Sequence, residues 1–469
     1  MPTHSPLQRT ALSFTRWAEH WFPDAFVFAL IALAVVVLAA LGNGAAPLAI
    51  SKAFGDGFWS LIPFTMQMAM VAISGYVVAV SPPVTRFINR VALLPQTGRG
   101  AVALVATLSM TSSLLNWALS LIFSGLLVRA LARRAQLDMD YRAATAAGYL
   151  GLGATWAMGL SSSAAQLQAN AASLPPQLLA ITGVIPFSQT IFLWQSLLLT
   201  LILILVSIAV AWYSAPSGEA AQTAHKLGID VSDSVSLQTA PTRPGEWLEY
   251  SPILSGFVVL LGLGWLVQEF QAKDPLLAIS GLNTYNFLFL MLGIALHGRP
   301  RAFVAAVTRA VPTTGGVLIQ YPFFAGLATV LTVAAGSDGI TLSDRIATWF
   351  VTVATTETYP LLMGVYSAVL GLFIPSGGGK WLIEAPYVMQ AAIELKVHLG
   401  WAVQIYNAAE ALPNLINPFW MLPLLGVVGL KARDVVGFTA LQLIIHIPLV
   451  LGLLWLLAGT LSYSPPVLP

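Results

Sequence analysis

An all-α polytopic membrane protein is the fold class this sequence predicts, and three observations predict it. Of its 469 residues, 57% are hydrophobic and 9% charged, against about 25% charged in soluble domains. So few charges cannot cover a soluble protein of this length. Apolar runs recur from end to end, as in "AFVFALIALAVVVLAALG" (25–42) and "TIFLWQSLLLTLILILVSIAVAWY" (190–213). Each is long enough to cross a hydrocarbon core of about 30 Å as a helix. The charges gather in a few loops: Arg86, Arg90 and Arg99; Arg129, Arg133, Arg134 and Arg142; Arg299, Arg301 and Arg309; Lys431 and Arg433. Placing these loops in the cytoplasm follows the positive-inside rule.

The formal net charge of +2 gives no electrostatic footprint for nucleic acid. A chain without cysteine has no disulfide, thiolate metal site or cysteine nucleophile. No small-residue cleavage site clearly follows the first apolar run, so 25–42 is read as a retained span behind a cytoplasmic N-terminal segment, 1–24. Full crossings are then expected near 25–42, 60–80, 143–170, 190–213, 252–271, 282–297, 310–334, 399–425 and 436–458. Segments 81–100 and 338–352 mix charged and apolar residues and are expected to be amphipathic helices at the interface. The polar loop 214–250 is expected in the cytoplasm. With the linker span that follows, it makes up 214–281 and separates two halves, 25–213 and 282–458; a tail, 459–469, closes the chain.

Those halves resemble each other. "PFTMQMAM" sets Gln67 inside one apolar span and "GVLIQYPFF" sets Gln320 inside another. At nearly the same offset, Tyr149 opens "YLGLGATWAMGLSSS" and Tyr406 opens "YNAAEALPNLINPFW". A recurring offset marks a duplicated unit. Length then predicts a hairpin. Residues 101–131 would make one helix of about 46 Å, too long for an upright span, and arginines flank both ends. Two arms entering and leaving on one face satisfy both facts, with a turn at 114–120. The second copy falls at 361–395 with its turn at 375–380, and counting spans puts it on the opposite face. The expectation is therefore two inverted repeats, each with a re-entrant hairpin and an interrupted transmembrane helix.

Four breaks concentrate the polar residues: the hairpin turns at Asn116 and at 375–380, and interruptions near 159–163 and 410–418. Lipid cannot satisfy the freed backbone groups, so these breaks must face protein or a water-lined cavity. Helix N-termini pointing inward present N–H groups and partial positive charge, which suits a small carboxylate. "PSGGGK" offers Ser376 as a cap, Gly377, Gly378 and Gly379 for close approach, and Lys380 as a cation. The plainer reading is that the glycines permit close helix packing and Lys380 snorkels to the interface. Ser161, Ser162 and Ser163 are read as facing a ligand, against back-bonding to their own helix. Glu410, Asn414 and Asn417, with two prolines, are candidate cation ligands; Glu410 is equally a proton carrier or a structural hydrogen-bonding group. Glu357 is expected to cap the start of the second hairpin, and His297 and His446 to be structural. No nucleophile–base pair, HExxH or GxSxG stands in the sequence, so an enzyme is not expected.

Further residues carry a family resemblance. "HWFPDAFVFAL" (20–30), "FGDGFWSLIPFTMQMAM" (54–70), "NW" (116–117), "TYNFLFLMLGIALHG" (284–298), "PSGGGKW" (375–381) and "NPFW" (417–420) are similar to the bacterial short-chain fatty acid uptake family of the butyrate and acetoacetate permeases. That family is grouped with the ion transporter superfamily. The resemblance implies a scaffold domain with an elevator-type transport domain, a homodimer in the bacterial cytoplasmic membrane, and cation-coupled import of short-chain fatty acids. It places Asn116 and Trp117 at the first hairpin tip and Ser376 to Gly379 at the second. Ser161 to Ser163 and Asn414 to Asn417 then fall in the unwound segments. Substrate is thus expected at Asn116, Trp117, Ser161, Ser162, Ser163, Ser376, Gly377, Gly378, Gly379 and Lys380, and the coupling ion, Na⁺ or H⁺, at Asn116, Glu410, Asn414 and Asn417. No other cofactor is expected. Family members carry a histidine after the glycines; Lys380 here puts a histidine-based proton role in doubt and lets a lysine hold the carboxylate. Transport of dicarboxylates or aminoacyl compounds, and an anion channel, are the alternatives.

Overall fold

The computed structural model describes residues 25–231, 243–273, 275–374, 376–417 and 419–467. The expected N-terminal segment 1–24, part of the polar loop, Pro375, Pro418 and the last two residues lie outside them. Among the described residues every regular element is helical.

The chain opens with α1 (Ala25–Gly42), α2 (Pro47–Phe58), α3 (Ile62–Ala79) and α4 (Pro82–Val91). Proline in the first helical positions starts α2, α3 and α4, where its missing N–H costs nothing. In α4 only Ile88 is buried, so Arg86 and Arg90 stay on an outer face. Next come α5 (Gly98–Ser113) and α6 (Trp117–Ala132), a helical pair joined by three residues. Asn116 makes that turn: its Oδ1 accepts from Ala118 N and Leu119 N, both at 2.9 Å, and its Nδ2 donates to the Val71 carbonyl of α3. Replacing Asn116 by Ala removes a helix cap and the tie from the turn to α3. The expected loss is about 1–2 kcal/mol, read as a lower melting temperature in detergent.

Helix α7 (Tyr141–Leu150) then loosens into a π-helical turn, Gly151–Thr155, and a 3₁₀ turn, Trp156–Met158, and breaks before α8 (Ser163–Gln168). Short α9 (Pro176–Thr182) and long α10 (Trp194–Ser214) complete the first half. The loop and linker contain α11 (Glu246–Tyr250), α12 (Pro252–Ala272) and α13 (Pro275–Ser280), and the second half begins with α14 (Leu282–His297), α15 (Pro300–Ala310), α16 (Gly315–Val333) and α17 (Leu342–Val353). It ends with α18 (Tyr359–Phe373) and α19 (Gly377–Glu394), a second helical pair, then α20 (Leu399–Asn414), a break, α21 (Leu422–Val428) and α22 (Ala432–Ala458).

Four of these helices, α3, α10, α12 and α22, are long and apolar enough to cross a membrane by length and composition. The apolar stretches of α1, α6, α14, α16 and α18 are shorter. On α12 Ile253, Phe257, Leu260, Leu261 and Val267 are exposed. An apolar surface of that extent belongs against lipid or another protein rather than water. Two short helices, α2 and α15, occupy stretches where only connections are expected. In α2 the charges of Lys52 and Asp56 pair one turn apart on the outside, while Ile50, Ala53 and Gly57 are buried.

The polar loop docks at the arginine-rich ends of α5 and α6. Arg99 Nε donates to Ala215 O at 3.1 Å, Arg133 Nε to Val231 O at 3.0 Å and Tyr141 N to Gln222 O at 2.8 Å. Further along, Arg301 pairs with Glu249 at 3.0 Å. The Lys431 loop lies at the same end, where Tyr141 Oη donates to Val428 O at 3.0 Å. His297 and His446 hydrogen-bond to Val77 O and Ser207 Oγ. Glu357 is exposed just ahead of α18, and no side chain caps that helix at Thr358. In place of the expected Glu357 cap, Thr355 and Thr358 exchange side-chain-to-backbone hydrogen bonds and Tyr359 N donates to Thr355 O at 2.9 Å.

Candidate functional site

The two helical pairs and the two breaks close on one cavity. It is lined by Met68, Trp117, Leu152, Trp156, Ser163, Tyr321, Gly377, Asn414 and Trp420 and measures about 20 Å³, room for roughly one water molecule. Helix ends face it. Trp117 is the first residue of α6 behind the Asn116 cap. Gly377 is the first residue of α19 behind Ser376, whose Oγ accepts from Gly379 N at 3.3 Å. Asn414 ends α20. Two helix N-termini bring their partial positive charge to one place, with the first N–H groups of α6 held by Asn116 Oδ1 and Ser161 Oγ; apolar and aromatic side chains make most of the remaining wall. Trp117 and Trp420 meet edge to face, their centroids 5.6 Å apart.

Hydrogen bonds tie the first break to both neighbours. Leu160 N donates to Leu114 O at 2.7 Å and Trp117 N to Ser161 Oγ at 3.0 Å, so the break rests on the α5–α6 turn. A side chain at Gly159 would strike the Leu114 backbone at 2.4 Å, which explains the glycine. Ser162 Oγ donates to Asn407 Oδ1 of α20 at 3.1 Å, and Tyr149 Oη to Asn414 O at 3.0 Å. Of the three expected serines, Ser163 alone lines the cavity; Ser161 and Ser162 hold the break in place.

Several expected ligands are already committed elsewhere. Asn116 spends its amide on the cap and on Val71 O and does not line the cavity. The three glycines are not a break: they form the first turn of α19, with Tyr406 Oη donating to Gly377 O at 2.5 Å. Side chains at Gly377, Gly378 and Gly379 would meet Trp156, the Tyr321 hydroxyl and Phe324, so close packing decides glycine here. Of the three, only Gly377 lines the cavity. Lys380 does not reach the cavity either. Its Nζ lies 2.7 Å from Glu384 Oε1, 3.0 Å from Glu410 Oε2, 2.7 Å from Ser367 Oγ and 3.1 Å from Ser367 O, and 4.2 Å from the Tyr406 ring centroid. Two carboxylates neutralise it one helical turn behind the tip. Glu410 shares that cluster, and Asn417 is buried beyond the end of α20.

Met68, Leu152, Trp156, Tyr321 and Trp420 were not anticipated, and neither were Glu384 and Ser367 behind them. Trp156 and Trp420 stand inside "YLGLGATWAMGLSSS" and "NPFW", stretches read for their polar residues. Tyr321 follows Gln320, the residue that drew attention to α16. Phe64 of α3 stacks on its ring at 5.8 Å.

The fold is that of a membrane transporter. The crystal structure of the Alcanivorax borkumensis YdaH transporter, described as having an unusual topology, superimposes with a TM-score of 0.59 over 93% of this chain and 98% of that one. At 16% identity the likeness concerns fold alone. The chain belongs to the short chain fatty acid transporter family, whose model matches residues 6–457. A relative from Escherichia coli (strain K12), provisionally named a short-chain fatty acid transporter, is 32% identical over 92% of this chain and 95% of its own length. Another of the same name, from Haemophilus influenzae (strain ATCC 51907 / DSM 11121 / KW20 / Rd), is 31% identical over 96% of this chain and its full length.

Proposed function

We propose that this protein imports short-chain fatty acids such as butyrate or acetoacetate across the bacterial cytoplasmic membrane, coupled to a cation, with the carboxylate held between Trp117, Ser163, Gly377 and Asn414. The observation that carries the site is the meeting of the α6 and α19 N-termini at one apolar cavity. Helix N-termini favour an anion, and the Trp117, Trp156, Trp420, Leu152 and Met68 walls suit a short aliphatic chain. A dicarboxylate would need a second positive group, and Lys380 is already matched by two carboxylates.

The cavity is too small for butyrate as it stands, so the tryptophans must part for substrate to enter. The sequence of helical pair, interrupted helix and long helix occurs at 98–214 and again at 359–458, which supports inverted repeats. Met68 and Tyr321, from α3 and α16, face the cavity across from these elements. That boundary is where an elevator-type transport domain would slide on its scaffold. The homodimer and a cytoplasmic N-terminus follow from the family resemblance and from the arginine-bearing loops.

Labelled butyrate exchange by purified protein in liposomes preloaded with butyrate tests the reading, since exchange separates carrier-bound movement from leakage. Saturable exchange is expected, and Asn414→Ala should raise the half-saturating concentration about tenfold or more through a lost hydrogen bond to a charged group. Non-saturable flux, or an unchanged Asn414→Ala curve, would remove the carrier reading or the site respectively.

A further inference from the structure

We propose that Glu384 and Glu410, on either side of Lys380, form a site for one exchangeable proton, and that this proton is the ion linked to carboxylate binding. The link rests on the transport reading above; the proton site does not. Lys380, Glu384 and Glu410 are at most 1% exposed. Fully ionised, the cluster holds two negative charges against one positive. Glu384 Oε2 and Glu410 Oε1 are buried without a hydrogen-bond partner, and Glu410 Oε2 has its ion pair with Lys380 alone. An uncompensated buried charge costs several kcal/mol, and a proton on one carboxyl group removes it.

Among the described residues, the groups around the cluster supply no second cation. Tyr359 and Tyr366 face the cluster from α18, Tyr387 from α19, Tyr406 from α20 and Tyr321 from α16. All are phenols, and the hydroxyls of Tyr359 and Tyr406 donate to the carbonyls of Val388 and Gly377, while those of Tyr366 and Tyr387 bond each other. Sodium fits less well than a proton, because the ammonium already occupies the position between the carboxylates and a second cation would sit against it. Gly371 of α18 leaves room beside Glu410: a Cβ there would lie 3.1 Å from Oε2.

The cluster connects to the cavity by short covalent and packed paths. Glu410 lies one helical turn before Asn414, and Lys380 one turn after Gly377. Tyr406 rests its ring on Lys380 and donates its hydroxyl to Gly377. Protonation weakens the Lys380–Glu410 tie between α19 and α20 and removes a negative charge near the carboxylate position. Both effects favour binding of an anion, and linkage makes the reverse hold as well.

Two measurements on the purified full-length protein in detergent test this. Infrared spectra should show a protonated-carboxyl C=O band that titrates with pH and is lost or reduced in both Glu410→Gln and Glu384→Gln, since either change removes the excess charge. A pH-indicating dye in weakly buffered solution should register uptake of about one proton per butyrate bound, with affinity rising about fivefold or more as pH is lowered. Both responses should flatten in the two variants. No protonated-carboxyl band in the parent, or a band that survives in both variants, overturns the site. A band that behaves as expected with butyrate binding that takes up no proton overturns the linkage. A band that behaves as expected with no butyrate binding upholds the proton site and sinks the transport reading.

Discussion

Replacing Lys380 with Met should destabilise the folded protein by about 3–5 kcal/mol, the usual result of removing one partner from a buried ion pair. The methionine fills most of the volume, so the loss is electrostatic. Glu384 and Glu410 would face each other with no ammonium between them, in a place water does not reach. Lowering the pH should recover part of the loss, because proton binding neutralises both groups. Stability of the variant therefore falls as pH rises, and the deficit against the parent is largest in alkaline buffer. The triple change Lys380→Met, Glu384→Gln and Glu410→Gln should melt closer to the parent than the single change does, since it leaves no buried charge. Thermal unfolding in detergent across a pH series measures all of this. A Lys380→Met protein as stable as the parent at high pH would show that water enters the cluster.

Gly377→Ala is the second change with a large expected effect. A Cβ at this position lies 2.3 Å from Trp156 Cη2, far inside van der Waals contact, and Trp156 is 7% exposed with little room to retreat. Overpacking of this kind costs about 1–3 kcal/mol. The functional cost should exceed the structural one, because Gly377 and Trp156 both line the cavity. Displacing either moves the α19 N-terminus from the carboxylate position. Butyrate affinity by titration calorimetry should fall about tenfold or more, each 1.4 kcal/mol being a factor of ten. Gly264→Ala on α12 is the control: open space surrounds that position, and alanine improves a helix interior by about 0.5–1 kcal/mol. Equal losses in both variants would remove the packing argument.

Much of the fold was legible because lipid imposes simple rules on a sequence. Hydrophobic length located α1, α3, α10, α12, α14, α16 and α22, and excess length at 101–131 required the turn now seen at 114–116. Ser376 ahead of three glycines read correctly as a helix cap. Intrinsic propensity disfavours the glycines in a helix and points to a break, whereas packing against Trp156, Tyr321 and Phe324 requires them in its first turn. Short α2 and α15 escaped notice because neither is long enough to span and both carry charge.

The site was legible only as a set of breaks. That polar residues at interrupted helices would gather at one place followed from the need to satisfy the freed backbone. Which of them face the cavity did not follow. Asn116, Ser161 and Ser162 turned inward to hold the chain, while Tyr321 and Met68 arrived from helices far away in sequence. Lys380 shows the limit most clearly. One turn separates it from Glu384 in sequence, so that contact could have been read from i, i+4 spacing. Its second partner, Glu410, stands on another helix. Sequence alone determined that this chain is helical, lies in a membrane and breaks its helices around small and polar residues, because hydrophobic length and helix chemistry are local properties. Only the tertiary structure decided that the lysine beside the glycines stands between two carboxylates, one of them on another helix, because charge compensation depends on distance in space.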